Sequence, residues 1–259
     1  MNNFITYILK LSGFFSLFFN LFLGIFVYSK NRKNWVNISF LLVSISIGCW
    51  SVGSSFINIL SKGIALKIER ICWSFAVFLP YFLLLFFHFV TSNKNKWVLR
   101  ISFFVSCIFL IIVPTPLLVK TLSYRFPHYP NVILSEPGIL SPLFIIYFSL
   151  SVGIGVYWLI NMMFRGNSFQ RLQAKYLLVS TIVAVISGIE YFSTFMGIKK
   201  SPPMDDFILI LYFSLMSYAI IRHRLMDIRV AVTKAGIFFI LYAIVLGIPF
   251  YVGYRTGSW

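Results

Sequence analysis

The sequence predicts an all-α fold, a polytopic membrane helical bundle of eight spans with its N-terminus outside. Three observations carry this. Of 259 residues, 59% are hydrophobic and only 11% charged, where an ordinary soluble domain has roughly a quarter of its residues charged. The apolar residues gather into runs close to the ~20 residues that a helix needs to cross ~30 Å of hydrocarbon. The remaining charges collect in the short gaps between runs, where membrane proteins keep them.

The runs cover 5–28, 36–60, 71–91, 101–119, 142–164, 176–197, 207–221 and 237–254. The first lies within FITYILKLSGFFSLFFNLFLGIFVY, which has no basic stretch before it and no small-residue cleavage site after it. It reads as a retained helix and not as a removable signal peptide. Its Ser12, Ser16, Asn20 and Gly24 repeat every four residues. The second run is rich in small residues, among them Ser44, Gly48, Ser51 and Gly53, and the fifth carries Ser149, Ser151, Gly153 and Gly155. Such stripes let helix backbones approach closely and predict packing faces. In the third run Pro80 removes a backbone donor and bends the helix, and His88 sits near its end as an interfacial or packing residue. Most gaps are about ten residues long; the exception is Lys120 to Ser141, a loop rich in Pro and aromatic residues.

Gaps one, three, five and seven hold thirteen of the 22 Lys and Arg residues, and the other side holds nine. Basic residues favour the cytoplasm, so the N-terminus falls outside and the RHRLMDIR segment inside. The formal charge of +16 is accounted for by loops facing anionic lipid headgroups, and nucleic acid is not an expected partner. Cys49, Cys72 and Cys107 all lie in apolar runs without CxxC spacing and read as packing residues. There is no HExxH, GxxxxGK[ST] or GxSxG stretch. No catalytic residue, metal ligand or cofactor is expected, and the chain as given is not an enzyme.

An ionisable residue inside a span is a functional candidate, because burying charge is costly. Glu190 is the clearest case, with Ser187 three residues before it and Thr194 four after it on the same helix face. These three are candidate ligand contacts; a protonated Glu190 bonded to its neighbours is the plainer alternative. In the long loop Tyr124, Phe126, His128 and Tyr129 are either ligand contacts or residues of a headgroup interface. The basic segment with Arg222, Arg224, Asp227 and Arg229 is read two ways. It is a topology-fixing turn, or an amphipathic element, with Leu225, Ile228 and Val232 at helical spacing, that passes bundle motion onward.

The stretch LYFSLMSYAIIRHRLMDIRVAVTKA resembles the end of the seven-helix N-terminal sensor domain of bacterial histidine kinases. NLFLGIFVYSKNRKNWVNISFLLVSISIGCWSVG is similar to its first two helices, and AVFLPYFLLLFFHFV, with Pro80, to its third. The resemblance spans roughly residues 5 to 235. It implies a seven-transmembrane sensor domain over 1–221, a basic cytoplasmic linker over 222–236 and, over 237–259, an additional helix that is the first arm of a hairpin. It also implies a multi-pass protein of the bacterial cytoplasmic (inner) membrane and a homodimer. Its stimulus would be a small molecule or lipid, sensed from outside or from the lipid bilayer. Output would go to a cytoplasmic kinase module of a two-component system and through it to a response regulator. No kinase sequence follows, so the 259 residues read as a fragment that ends after the eighth span. The alternative function is a small-molecule membrane transporter or channel, although no inverted repeat is evident.

Overall fold

The computed structural model describes residues 2–93, 95–124, 132–199 and 205–222. Within them lie α1 (Asn2–Lys30), α2 (Trp35–Ile57), α3 (Lys62–Ala76), α4 (Leu79–Val90) and α5 (Trp97–Ile112). A hairpin of β1 (Val119–Tyr124) and β2 (Ile133–Pro137) follows, then α6 (Ser141–Arg165), α7 (Ser168–Phe195) and α8 (Asp205–Arg222). Among the described residues five helices are long and apolar enough to cross a membrane: Leu11–Lys30, Trp35–Ile57, Lys62–Val90, Ser141–Arg165 and Ser168–Phe195. Trp97–Ile112 and Ile208–Tyr218 are shorter apolar helices. The expected eighth span, 237–254, lies outside the described residues.

Two expectations are corrected. The third helical run begins at Lys62 and not at residue 71, because its charges lie on one face of an amphipathic helix. Ala65, Glu69, Cys72, Trp73 and Ala76 are buried at helical spacing, while Lys62 and Lys67 are exposed. The run is also broken rather than merely bent: α3 ends at Ala76, and α4 restarts with Pro80 in its first turn, where a missing N–H costs nothing. At the break the Val77 carbonyl accepts a hydrogen bond from Ser106 Oγ of α5 at 2.8 Å.

The second correction is to the reading of 120–141 as a loop, within a fold that is mostly helical. The loop after residue 119 folds into an antiparallel hairpin that pairs Leu122 with Ser135 and Tyr124 with Ile133, with a register shift between Val119 and Leu122. Its Val119, Leu122 and Ile133 are buried. Arg70 of α3 ties its base down, donating to the carbonyl of Pro114 at 2.9 Å and of Val119 at 3.1 Å.

The small-residue stripes pack as their composition predicts. α1 and α2 run antiparallel, with the Gly13 N–H donating to Ser55 Oγ at 3.1 Å, Gly24 against Ser44, and Asn37 Nδ2 donating to the Val27 carbonyl at 3.0 Å. Gly155 of α6 lies against the Phe87 ring of α4, where a Cβ would collide. α7 and α8 also run antiparallel, with Ser187 near Asp205 at one end and Tyr176 near Tyr218 toward the other. The turns between helices start crisply: Asn34 caps α2, and Asn167 with Gln170 forms a capping box on α7. The hairpin, the 58–61 turn and the start of α8 therefore share one end of the bundle, and the 31–34 turn and Arg222 share the other.

Candidate functional site

Between α2, α4, α6, α7 and α8 lies a cavity of about 460 Å³, within the size range of small-molecule sites. Along α7 it runs from Phe195 back to Thr181, about 20 Å of helix at 1.5 Å per residue. The deep half is walled by apolar groups such as Ile47, Leu83, Phe87 and Val156. Gly153 and Gly188 also line it, and both face open space, with nothing within 4 Å of where a Cβ would stand. The fifth run's two small-residue pairs thus have different fates. Ser151 and Gly155 are buried and pack, whereas Ser149 and Gly153 line the cavity and stay exposed.

The half nearer the hairpin is polar and aromatic. Three carboxyls line it: Glu69 from α3, and Asp205 and Asp206 from the first turn of α8. Asp206, 7% exposed, accepts from Ser12 Oγ at 2.7 Å. Glu69, 3% exposed, accepts at Oε1 from Trp73 Nε1 at 3.0 Å and from Ser135 Oγ at 2.8 Å. Its Oε2 has no hydrogen-bond partner among the described residues and lies against Gly53. Tyr191 stands within electrostatic reach of all three acids. It packs edge-on against Trp50 at 4.7 Å between ring centroids, and Trp50 packs in turn on Trp73 at 5.7 Å. Among the described residues the one ion pair is Lys199 with Glu190; Glu69, Asp205 and Asp206 have none.

β2 closes this end. Val132, Ile133, Leu134 and Ser135 line the cavity, and Asn58, the C-cap of α2, holds the strand. Its Oδ1 accepts from the Ile133 N–H at 3.0 Å, and its Nδ2 donates to the Ile133 carbonyl at 3.4 Å.

The candidates read from the sequence fall as follows. Ser187 and Thr194 line the cavity; the Ser187 hydroxyl donates to the Asp205 carbonyl at 3.1 Å and that of Thr194 to the Glu190 carbonyl at 3.0 Å. Glu190 is not among the lining residues, and its carboxylate pairs with Lys199 at the end of the helix. Tyr124 is exposed at the end of β1, with Lys62 Nζ 4.3 Å above its ring. His128, Arg224, Asp227 and Arg229 lie outside the described residues, and Arg222 is the last residue of α8. His88 is buried against Trp158.

Sequence reasoning missed Glu69, Asp205 and Asp206, because each looked like loop charge. One signal was present: Glu69 occupies a position on the apolar stripe Ala65, Cys72, Trp73, Ala76. Among the described residues no three His, Cys, Asp or Glu side chains converge closely enough to hold a metal ion.

No curated protein and no solved structure matches this chain. A family model described as the N-terminal 7TM region of histidine kinase matches residues 13–229, which takes in α2 to α8, the cavity and the hairpin. The match agrees with the apolar helices and with the resemblance in YAIIRHRLMDI. This multi-pass membrane chain therefore belongs to the family of N-terminal seven-transmembrane regions of histidine kinases.

Proposed function

We propose that this chain detects an extracytoplasmic or membrane-borne ligand in the cavity and passes the signal to a cytoplasmic kinase module, and through it to a response regulator. The observation that carries the reading is the placement of α8. Its first turn supplies Asp205 and Asp206 to the cavity, and its last residue, Arg222, begins the basic segment that continues through Arg224, Asp227 and Arg229. At 18 residues it is about 27 Å long, so one rigid element joins the two ends of the bundle. A ligand that binds one arrangement of α8 more tightly than another shifts the population toward it. Ser187 and Thr194 contact the ligand, Glu190 anchors Lys199 at the end of α7 beside them, and Tyr124 and His128 belong to the approach above the hairpin. The N-terminus and hairpin lie outside, in the inner membrane of a bacterium, and the signalling unit is a homodimer.

The test is a cavity plug in the full-length kinase. Gly188→Leu places an isobutyl group where the structure has space without the clash that a packed glycine would give. Kinase phosphorylation is expected to lock at one level and lose its response to stimulus. A variant that responds as the parent does would sink the reading.

A further inference from the structure

The structure assigns the cavity a ligand class: an organic ammonium on an apolar chain, its cationic head among Glu69, Asp205 and Asp206 and its tail along α6 and α7. This deepens the sensory reading above and rests on it. The first ground is where the acids fall. The chain has only six Asp and Glu residues and a net charge of +16, yet three of the six line a single cavity. Buried charges are ordinarily paired, and among the described residues none of these three makes an ion pair; the cation that acts on Asp205, Lys199, is itself paired with Glu190. Among the described residues Glu69 in addition keeps one buried carboxyl oxygen, the one beside Gly53, with no donor.

The second ground is the company the acids keep. Trp50, Tyr191, Phe192 and Phe195 line the same end, and aromatic rings beside carboxylates are the surroundings that alkylated ammonium groups prefer over anions or neutral alcohols. A metal ion is a poorer fit, since no three of the described acid, His or Cys side chains converge on one point. The third ground is shape. The cavity is elongated, and beyond Tyr191 its walls become mainly apolar, with Phe87 and Phe148 among the aliphatic groups, and open at Gly153 and Gly188. A chain of about eight carbons, near 10 Å when extended, fits in the ~20 Å that α7 spans. An anionic amphiphile would bring its charge against three carboxyls, which disfavours it.

The same head chemistry belongs to free alkylammonium compounds and to ethanolamine lipids. Titration calorimetry with the full chain in phosphatidylglycerol nanodiscs, blanked against empty discs, would use octyltrimethylammonium, 1-octanol and octanoate. The cation is expected to bind most tightly, and Asp205→Asn with Asp206→Asn to weaken it at least tenfold while leaving 1-octanol unchanged. Gly153→Leu is expected to weaken both the cation and the alcohol. If adding phosphatidylethanolamine to the discs competes with the cation, the natural source is a lipid; if it does not, the source is a free amphiphile.

Octanoate binding as tightly as the cation, or an unchanged cation affinity in the double variant, overturns the ammonium assignment and leaves the cavity as a sensor site. Failure of all three probes, or binding of the cation and the alcohol unchanged by Gly153→Leu, overturns the cavity itself. Thermal unfolding of each variant in the discs separates lost binding from lost fold.

Discussion

At Gly53 the backbone of α2 passes so close to the Glu69 carboxyl that a Cβ there would collide with Oε2 and crowd Cys72. Replacing a helical glycine by alanine ordinarily stabilises by up to about 1 kcal/mol. Here the expected result is the reverse, a loss of about 1–3 kcal/mol, because the carboxyl is held on its other oxygen by Trp73 and Ser135 and has nowhere to retreat. Gly153→Ala is the control, since its Cβ meets nothing within 4 Å. Thermal unfolding of the two variants should therefore move in opposite directions. Equal midpoints would show that Glu69 is not held as described. The sequence gives no hint of this difference, for Gly53 and Gly153 sit in similar small-residue stripes. What separates them is a residue contributed by another helix.

At the scale of elements, most helices were legible, while the start and break of the third run and the hairpin were not. Each helix has its own apolar length and its own punctuation, such as the Asn34 cap or the Asn167–Gln170 box, so its position follows from local sequence. The strand pair depends on partners distant in the chain. Val119 and Leu122 are buried three residues apart, which breaks the two-residue alternation of a strand because the register slips between them. The hairpin is also fixed from outside itself, by Arg70 at its base and by Asn58 at Ile133. Asn58→Ala is expected to raise the hydrogen-exchange rate of the Ile133 amide roughly tenfold or more, since that amide loses its acceptor, while the α7 amides keep theirs. An unchanged rate at Ile133 would mean that β1 alone holds the strand.

For the whole molecule, topology and charge make a joint claim. The proposed orientation, with the N-terminus outside, requires Glu136 of the hairpin to face the exterior and Arg32 of the first turn to face the cytoplasm. Single cysteines at these positions, in a background without Cys49, Cys72 and Cys107, are expected to react oppositely with a membrane-impermeant maleimide on intact cells. Labelling at position 32 alone would invert the bundle, and with it the side from which the cavity is reached. The cavity itself was beyond reach of the sequence. Its carboxyls come from Glu69 and from Asp205 with Asp206, more than 130 residues apart in the chain, and nothing local marks them as neighbours. Only the fold, by returning the start of α8 to the end where α3 begins, brings them to one space.

The grip of Asn58 on Ile133 has one more consequence. A primary amide that accepts from a strand's N–H and donates to the same residue's carbonyl presents what a neighbouring strand would present. At Ile133 the outward edge of the hairpin is thus already occupied by a side chain. Exposed strand edges invite another chain to add itself as a further strand. An extended peptide, or a second copy of this hairpin, could extend the sheet at that residue only after dislodging the cap of α2.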